Sequence, residues 1–295
     1  MRAASFALIT MAFLGATPRL AETLSDVLAT RKIPVNLFPA SDLQQHITSY
    51  AVSADNFPFL LAYHDDDGSG RLPPILRIVR YNEQTHELRR ADVKGIEVPF
   101  HGFDTVMKQV SSICMGSALA ISEADGFIAI NTHISPSAGC VLVLNPDLTF
   151  SAGLWGWALA AVSENIVFEE SMIHFAPVHS AKLSIYNPRQ KKLIRIFPAE
   201  TDSARQQFSE ELKNHLPSAE WCAQENHSCN PDDFETDIDK VTVRGQAFSF
   251  DVRMSPEGFG QEAERAVKPR TIHYTCTLKD GKWLVASEET SPAAQ

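Results

Sequence analysis

The chain has 295 residues, 44% hydrophobic and 21% charged, with a formal net charge of −10. This is the composition of an ordinary globular protein with enough apolar material for a sizeable core. The acidic balance disfavours nucleic-acid binding, which needs clustered Lys and Arg, and it disfavours adsorption to anionic lipid.

The first segment in chain order is MRAASFALITMAFLGATPRLAET. One early cation, Arg2, precedes an apolar run from Ala3 to Ala16. The run is about as long as a secretory h-region and shorter than the roughly 20 residues of a membrane-spanning helix. We expect a signal peptide over residues 1–21, cleaved after Ala16 or Ala21. The mature chain, 22–295, is then expected to be a single secreted or periplasmic domain without a membrane anchor. In such a protein, cysteines are first of all disulfide partners. Cys222 and Cys229 can close a small loop, Cys114 and Cys140 flank one repeat, and Cys276 is left over. Spacing alone does not fix the pairing.

One frame then recurs. It appears as AVSADNFPFLLAYH (51–64), AISEADGFIAINTH (120–133), AVSENIVFEESMIH (161–174) and KVTVRGQAFSFDVR (240–253). After each copy come an apolar run, a turn of Asn, Pro, Asp, Lys or Gly residues, and a second apolar run. Each unit is therefore expected to hold four antiparallel strands. Segments such as FLLAY, FIAI and VLVL are apolar on both phases, as strands covered on both faces are. Four-stranded units at a repeat of about 40 residues resemble β-propeller blades. The expected fold is all-β and β-propeller-like, with four blades, or five if Ser25 to Gln45 adds a strand. A two-sheet sandwich is the structural alternative.

The spacing between copies is uneven. Ser53 to Ser122 is 69 residues, Ser122 to Ser163 is 41 and Ser163 to Thr242 is 79. Insertions at 94–115 and 199–239 account for the excess. The second holds one surface helix, SARQQFSEELKNHL. A Ser203/Gln206 capping box should start it, Ala204, Phe208, Leu212 and Leu216 should line its apolar face, and Pro217 should stop it. A cysteine-cinched loop, EWCAQENHSCNPDDFETDIDK, is expected behind it.

The recurring His64, His133, His174 and Arg253 end the second strand of each copy, so the fold should place them equivalently on one face. Three imidazoles suit a transition metal, Arg253 suits an anion, and either could instead bond a loop carbonyl. A Ser122–His133 nucleophile–base pair is disfavoured, because the hairpin separates them by about 20 Å. Asp65, Asp67 and Ser69 in HDDDGSG match the first half of a calcium loop, yet Leu76 stands where the bidentate Glu belongs. A solvated hairpin tip is the plainer reading. Trp155 and Trp157 suit sugar stacking or a filled gap between blades. Cys222, His227 and Cys229 form a zinc half-site or, in an exported chain, a disulfide loop. Asp233, Glu235, Asp237 and Asp239 offer paired carboxylates or a solvated acidic loop. No phosphate loop, nucleophile elbow or zinc-protease helix is present, and no catalytic residue is assigned. The expectation is an exported binding or scaffold protein for a protein or small-molecule ligand. An exported hydrolase or metal-dependent enzyme using the His cluster is the alternative.

Overall fold

The computed structural model describes residues 22–47, 49–52, 59–65, 75–93, 97–101, 107–110, 117–135, 138–171, 179–199, 202–225 and 229–290. The fold is all-β with a few short helices. A two-residue strand pair, β1 (Glu22–Thr23) with β2 (His46–Ile47), brackets helix α1 (Leu24–Arg31) and a 3-10 turn at Val35–Leu37. Four four-stranded antiparallel meanders follow.

The first is β3 (Ser49–Val52), β4 (Phe59–Asp65), β5 (Ile75–Asn82) and β6 (Glu87–Val93). A pair of short strands, β7 (Glu97–His101) and β8 (Met107–Val110), comes next. The second meander is β9 (Ser117–Ala124), β10 (Phe127–Ser135), β11 (Ala138–Leu144) and the first half of β12 (Phe150–Val162). β7 pairs in parallel with β12 at Gly153 and Leu154. The second half of β12 opens the third meander, with β13 (Asn165–Glu170), β14 (Leu183–Asn187) and β15 (Lys192–Phe197). Helices α2 (Ser203–Lys213) and α3 (Ala219–Glu225) lead to the fourth: β16 (Glu235–Arg244), β17 (Ala247–Ser255), β18 (Arg270–Lys279) and β19 (Lys282–Thr290), with α4 (Gln261–Ala266) between β17 and β18.

The turns explain why the frame repeats. Asp125–Gly126 and Asp280–Gly281 close two-residue hairpins with φ of +49° and +81°, and +52° and +72°. Positive φ at both positions gives the twist that antiparallel strands need. In the last turn of three meanders an Asn organises the loop. Asn82 and Asn187 accept backbone N–H bonds from residues two or three further on, and the Asn145 amide donates to Thr149 Oγ1.

The sheets stack in series. Leu61, Val79 and Tyr81 of the first sheet pack on α1 residues Leu24, Val27 and Leu28. Ala62 and Ile78, on its opposite face, meet Ile128, Ile130, Leu142 and Leu144 of the second. Ala129, Val141 and Val143 meet Ile166, Phe168 and Tyr186 of the third. Val167, Leu183 and Ile185 meet Phe250, Val252 and Tyr274 of the fourth. Successive residues on one strand thus serve different interfaces, the period-2 rule at work. The doubly apolar segments follow from it. The fourth sheet differs. Phe248, Phe250, Val252 and Met254 face the core, while Ser249, Asp251 and Arg253 alternate with them on the other face. No hydrophobic cluster among the described residues joins that other face to the first sheet.

Several sequence expectations are corrected. The 25–45 segment contributes a helix instead of a fifth set of strands, because Thr23 and Asp26 form a capping box and Leu24, Val27 and Leu28 share one face. The inserted helix is capped by Asp202, not Ser203: its carboxylate accepts the Arg205 N–H at 3.1 Å. A carboxylate competes well with a hydroxyl at an N-cap. Two further helices, α3 and α4, were not expected. The DFETDID stretch is largely strand β16, not loop. Cys222 and Cys229 form a disulfide, Cys140 is also disulfide-bonded, and Cys276 is free and buried. Cys114, the expected partner of Cys140, lies outside the described residues. No helix among the described residues is long and apolar enough to cross a membrane.

Candidate functional site

The edge of β16, the seam where the fourth sheet meets the third, collects charge. Residues 179–181 run beside the free edge of β16. The Thr236 N–H donates to the His179 carbonyl at 2.7 Å, and the Ala181 N–H donates to the Thr236 carbonyl and hydroxyl at 3.1 and 2.9 Å. This short parallel bridge, at Ser180 and Thr236, fixes His179 beside the next residue of β16. His179 Nδ1 and Asp237 Oδ1 are 2.9 Å apart. An ionised carboxylate only accepts, so Nδ1–H donates and Nε2 is the basic nitrogen of the neutral ring.

Three more groups close on this pair. Glu169 lies on β13 two residues after Val167, on the same face, which is the face toward the fourth sheet. Arg253 stands opposite Asp237 in the β16–β17 register. Glu235, two residues before Asp237, lies beside the Glu257 carboxyl.

The protonation states are shifted accordingly. Burial, with the Asp237 charge adding and His179 opposing, pushes the Glu169 carboxyl up to about 7. The hydrogen bond to Asp237 raises His179, and the Glu169 charge raises it further. His179, and then Arg253, hold Asp237 below the usual carboxylate range. Burial and repulsion from Glu257 raise Glu235. Four carboxyls therefore face two cationic side chains. Two of the four ionise with difficulty, first because burial disfavours the charged form and then because neighbouring carboxyls repel.

A second group sits further along the outer face of the fourth sheet, two residues from Arg253 on β17. His273 Nδ1 lies 2.7 Å from Asp251 Oδ1, and Lys240 Nζ lies 3.1 Å from Asp251 Oδ2. Burial opposes ionisation of Asp251, but these two bonds outweigh it and keep the carboxyl low.

The residues singled out from sequence fall as follows. Arg253 belongs to the seam cluster, as do Glu235 and Asp237. His64 and His133 lie near the ends of β4 and β10, the second strands of their sheets, opposite Leu76 and Gly139. His174, Asp67, Ser69 and His227 lie outside the described residues, and Asp65 ends β4 opposite Ile75. Trp157 lies over Gly139, where a Cβ would meet its ring at 2.4 Å, and Trp155 packs partly buried against the core between the first two sheets. Ser122 pairs with Ala129, four residues from His133, so the two are not hydrogen-bond neighbours. The disulfide consumes both thiols of the Cys222/Cys229 half-site. No group of three His, Cys, Asp or Glu among the described residues has the arrangement to hold a metal ion. Glu169 and His179 were missed. They belong to no repeated motif and meet Asp237 only through the stacking of two sheets.

No protein-family model and no curated protein matches the chain. Among solved structures it is similar to the β-propeller domain of the Trilobed protease from Pyrococcus furiosus, described as having an open velcro topology. Identity is 9% and the TM-score 0.34, covering 79% of this chain and 54% of that one. It is also similar to a levansucrase variant complexed with sucrose, at 9% identity and a TM-score of 0.30, covering 83% of this chain and 68% of that one. The chain spans about half the length of the first of these. Nothing about activity follows from likenesses at this level.

Proposed function

We propose that the chain is an exported, β-propeller-like binding protein whose four meanders serve as blades, and that its ligand presents a cationic group to the seam cluster. The repeated frame and the face-to-face stacking of four sheets support the blade reading. The Cys222–Cys229 disulfide fits an oxidising compartment. The carrying observation for the ligand is the imbalance at the seam. Among the described residues, the cations that act on Glu169, Glu235 and Asp237 are His179 and Arg253, and Glu169 is held near 7. An ammonium or guanidinium group entering there would lower the carboxyl pKa values and expel a proton.

Calorimetry with spermidine at pH 7, in two buffers of different ionisation enthalpy, tests this. The expected result is binding tighter than ~1 mM with proton release, lost in the E169Q/D237N double variant. Absence of binding, or binding unchanged in the variant, overturns the cationic-ligand reading.

One observation favours a second reading. A carboxyl near 7 beside a His–Asp pair is suited to general acid–base work, so a hydrolase remains the alternative. A panel of nitrophenyl esters and glycosides decides. Turnover lost in H179A, with melting unchanged, would replace binding by catalysis.

A further inference from the structure

Among the described residues, the last strand of the fourth sheet is an uncovered edge. β19 pairs with β18 and with no other described strand. From Lys282 to Glu289 every residue except Trp283 is exposed. Leu284 and Val285 are 54% and 40% exposed, two adjacent apolar side chains on opposite faces of one edge strand. Proteins normally blunt such an edge, because its free N–H and C=O groups invite another strand.

The backbone fixes which groups are free. Lys279 and Lys282 flank a two-residue loop and are the hydrogen-bonded closing pair. Alternation then turns the N–H and C=O of Lys282, Leu284, Ala286 and Glu288 toward β18. Those of Trp283, Val285, Ser287 and Glu289 turn outward.

We propose that two copies of this chain pair antiparallel through β19, about a two-fold axis at Val285, to form one continuous eight-stranded sheet. In this register Val285 meets the partner's Val285 and Trp283 meets the partner's Ser287, so outward groups face outward groups. Leu284 meets the partner's Ala286, apolar against apolar. Lys282 meets the partner's Glu288, an opposite-charge pair that symmetry repeats at the other end. Moving the axis to Ala286 sets Leu284 against the partner's Glu288. Moving it to Leu284 sets Lys282 against the partner's Ala286. Charge and hydrophobicity together select the register at Val285. The pairing is independent of the seam cluster and of any ligand there.

Sedimentation velocity on the purified protein tests it over about 1 to 100 µM, the range suited to a small interface. A concentration-dependent dimer is expected. V285P should abolish the dimer while leaving the melting temperature nearly unchanged, because the lost N–H points away from β18. K282E should weaken the dimer about tenfold, by turning two attractive pairs into repulsive ones, and K282E/E288K should restore it. A monomer at the top concentration overturns the proposal. So does a dimer that survives V285P, or a charge reversal that the double variant fails to rescue.

Discussion

Replacing Glu169 by Gln removes the one group at the seam whose ionisation the fold resists most. Its carboxyl moves from 4.5 to about 7 on folding. Between those values the folded state keeps a proton that the unfolded chain has released, so stability falls as pH rises through this window. The full conversion of that shift is at most about 3 kcal/mol, at pH 7 and above. Glu169 is only partly buried, so solvent screening lowers the measured figure toward about 2 kcal/mol. His179 acts in the same direction. Its raised pKa stabilises the folded state below 6.5, and this contribution is lost as pH rises through the folded value. Wild type should therefore lose stability between pH 5 and pH 8. E169Q should match wild type at pH 4 and exceed it by about 2 kcal/mol at pH 8. Part of the His179 shift should vanish with it, since the Glu169 charge is one of its causes. Urea unfolding followed by tryptophan fluorescence at each pH measures the difference directly. A gap between the two proteins that stays constant from pH 4 to pH 8 would refute the electrostatic account of the seam.

Other perturbations have distinct signatures. Glu170 is buried and holds Ser184 at 2.5 Å and Arg195 at 2.9 Å, with side-chain exposures of 2% for Glu170 and 35% for Arg195. R195M should therefore cost about 3 to 5 kcal/mol by stranding a buried carboxylate, and E170Q clearly less, in chemical denaturation. Gly156 sits where β12 passes from the second sheet to the third, and a Cβ there would come within 2.0 Å of the Glu169 carbonyl oxygen. Neither backbone can yield easily, so G156A should cost about 3 kcal/mol and lower the melting temperature by roughly 6 to 12 °C. Phe250 is buried against Tyr274, with ring centroids 5.0 Å apart, and against Phe197 and Phe248. F250A should cost about 3 to 5 kcal/mol, read as a shift of the urea midpoint with an unchanged slope. Reduction of the Cys222–Cys229 disulfide, which spans a sequence separation of 7, should cost about 2 kcal/mol and leave the far-ultraviolet spectrum of the sheets intact.

Local chemistry was legible in the residues because it acts over a few positions. Asp125–Gly126, Asn145 and Asp280–Gly281 mark their turns through backbone preference, and the four meanders follow in order. The doubly apolar runs FIAI and VLVL announced sheets covered on both sides. The alternation in FSFDVRM equally announces that the fourth sheet is covered on only one, and acids at every second position in DFETDID suit a strand: Glu235, Asp237 and Asp239 all lie on β16. That signal was outweighed by the general solubility of acidic loops. The first helix was missed because its capping box, Thr23 and Asp26, uses Asp where Glu is commoner.

By itself the sequence determined the elements, their turns and which faces are apolar, since each depends on neighbours within a hairpin. Only the tertiary structure decided what those faces meet. Glu169 and His179 are ten residues apart on different segments, and Asp237 follows 58 residues after His179. They become one electrostatic group because the third sheet stacks on the fourth and residues 179–181 take up the free edge of β16. Contacts made across stacked sheets leave no period in the chain, so Glu169 and His179, which complete the charged group, were invisible where the strands that carry Glu235, Asp237 and Arg253 were not.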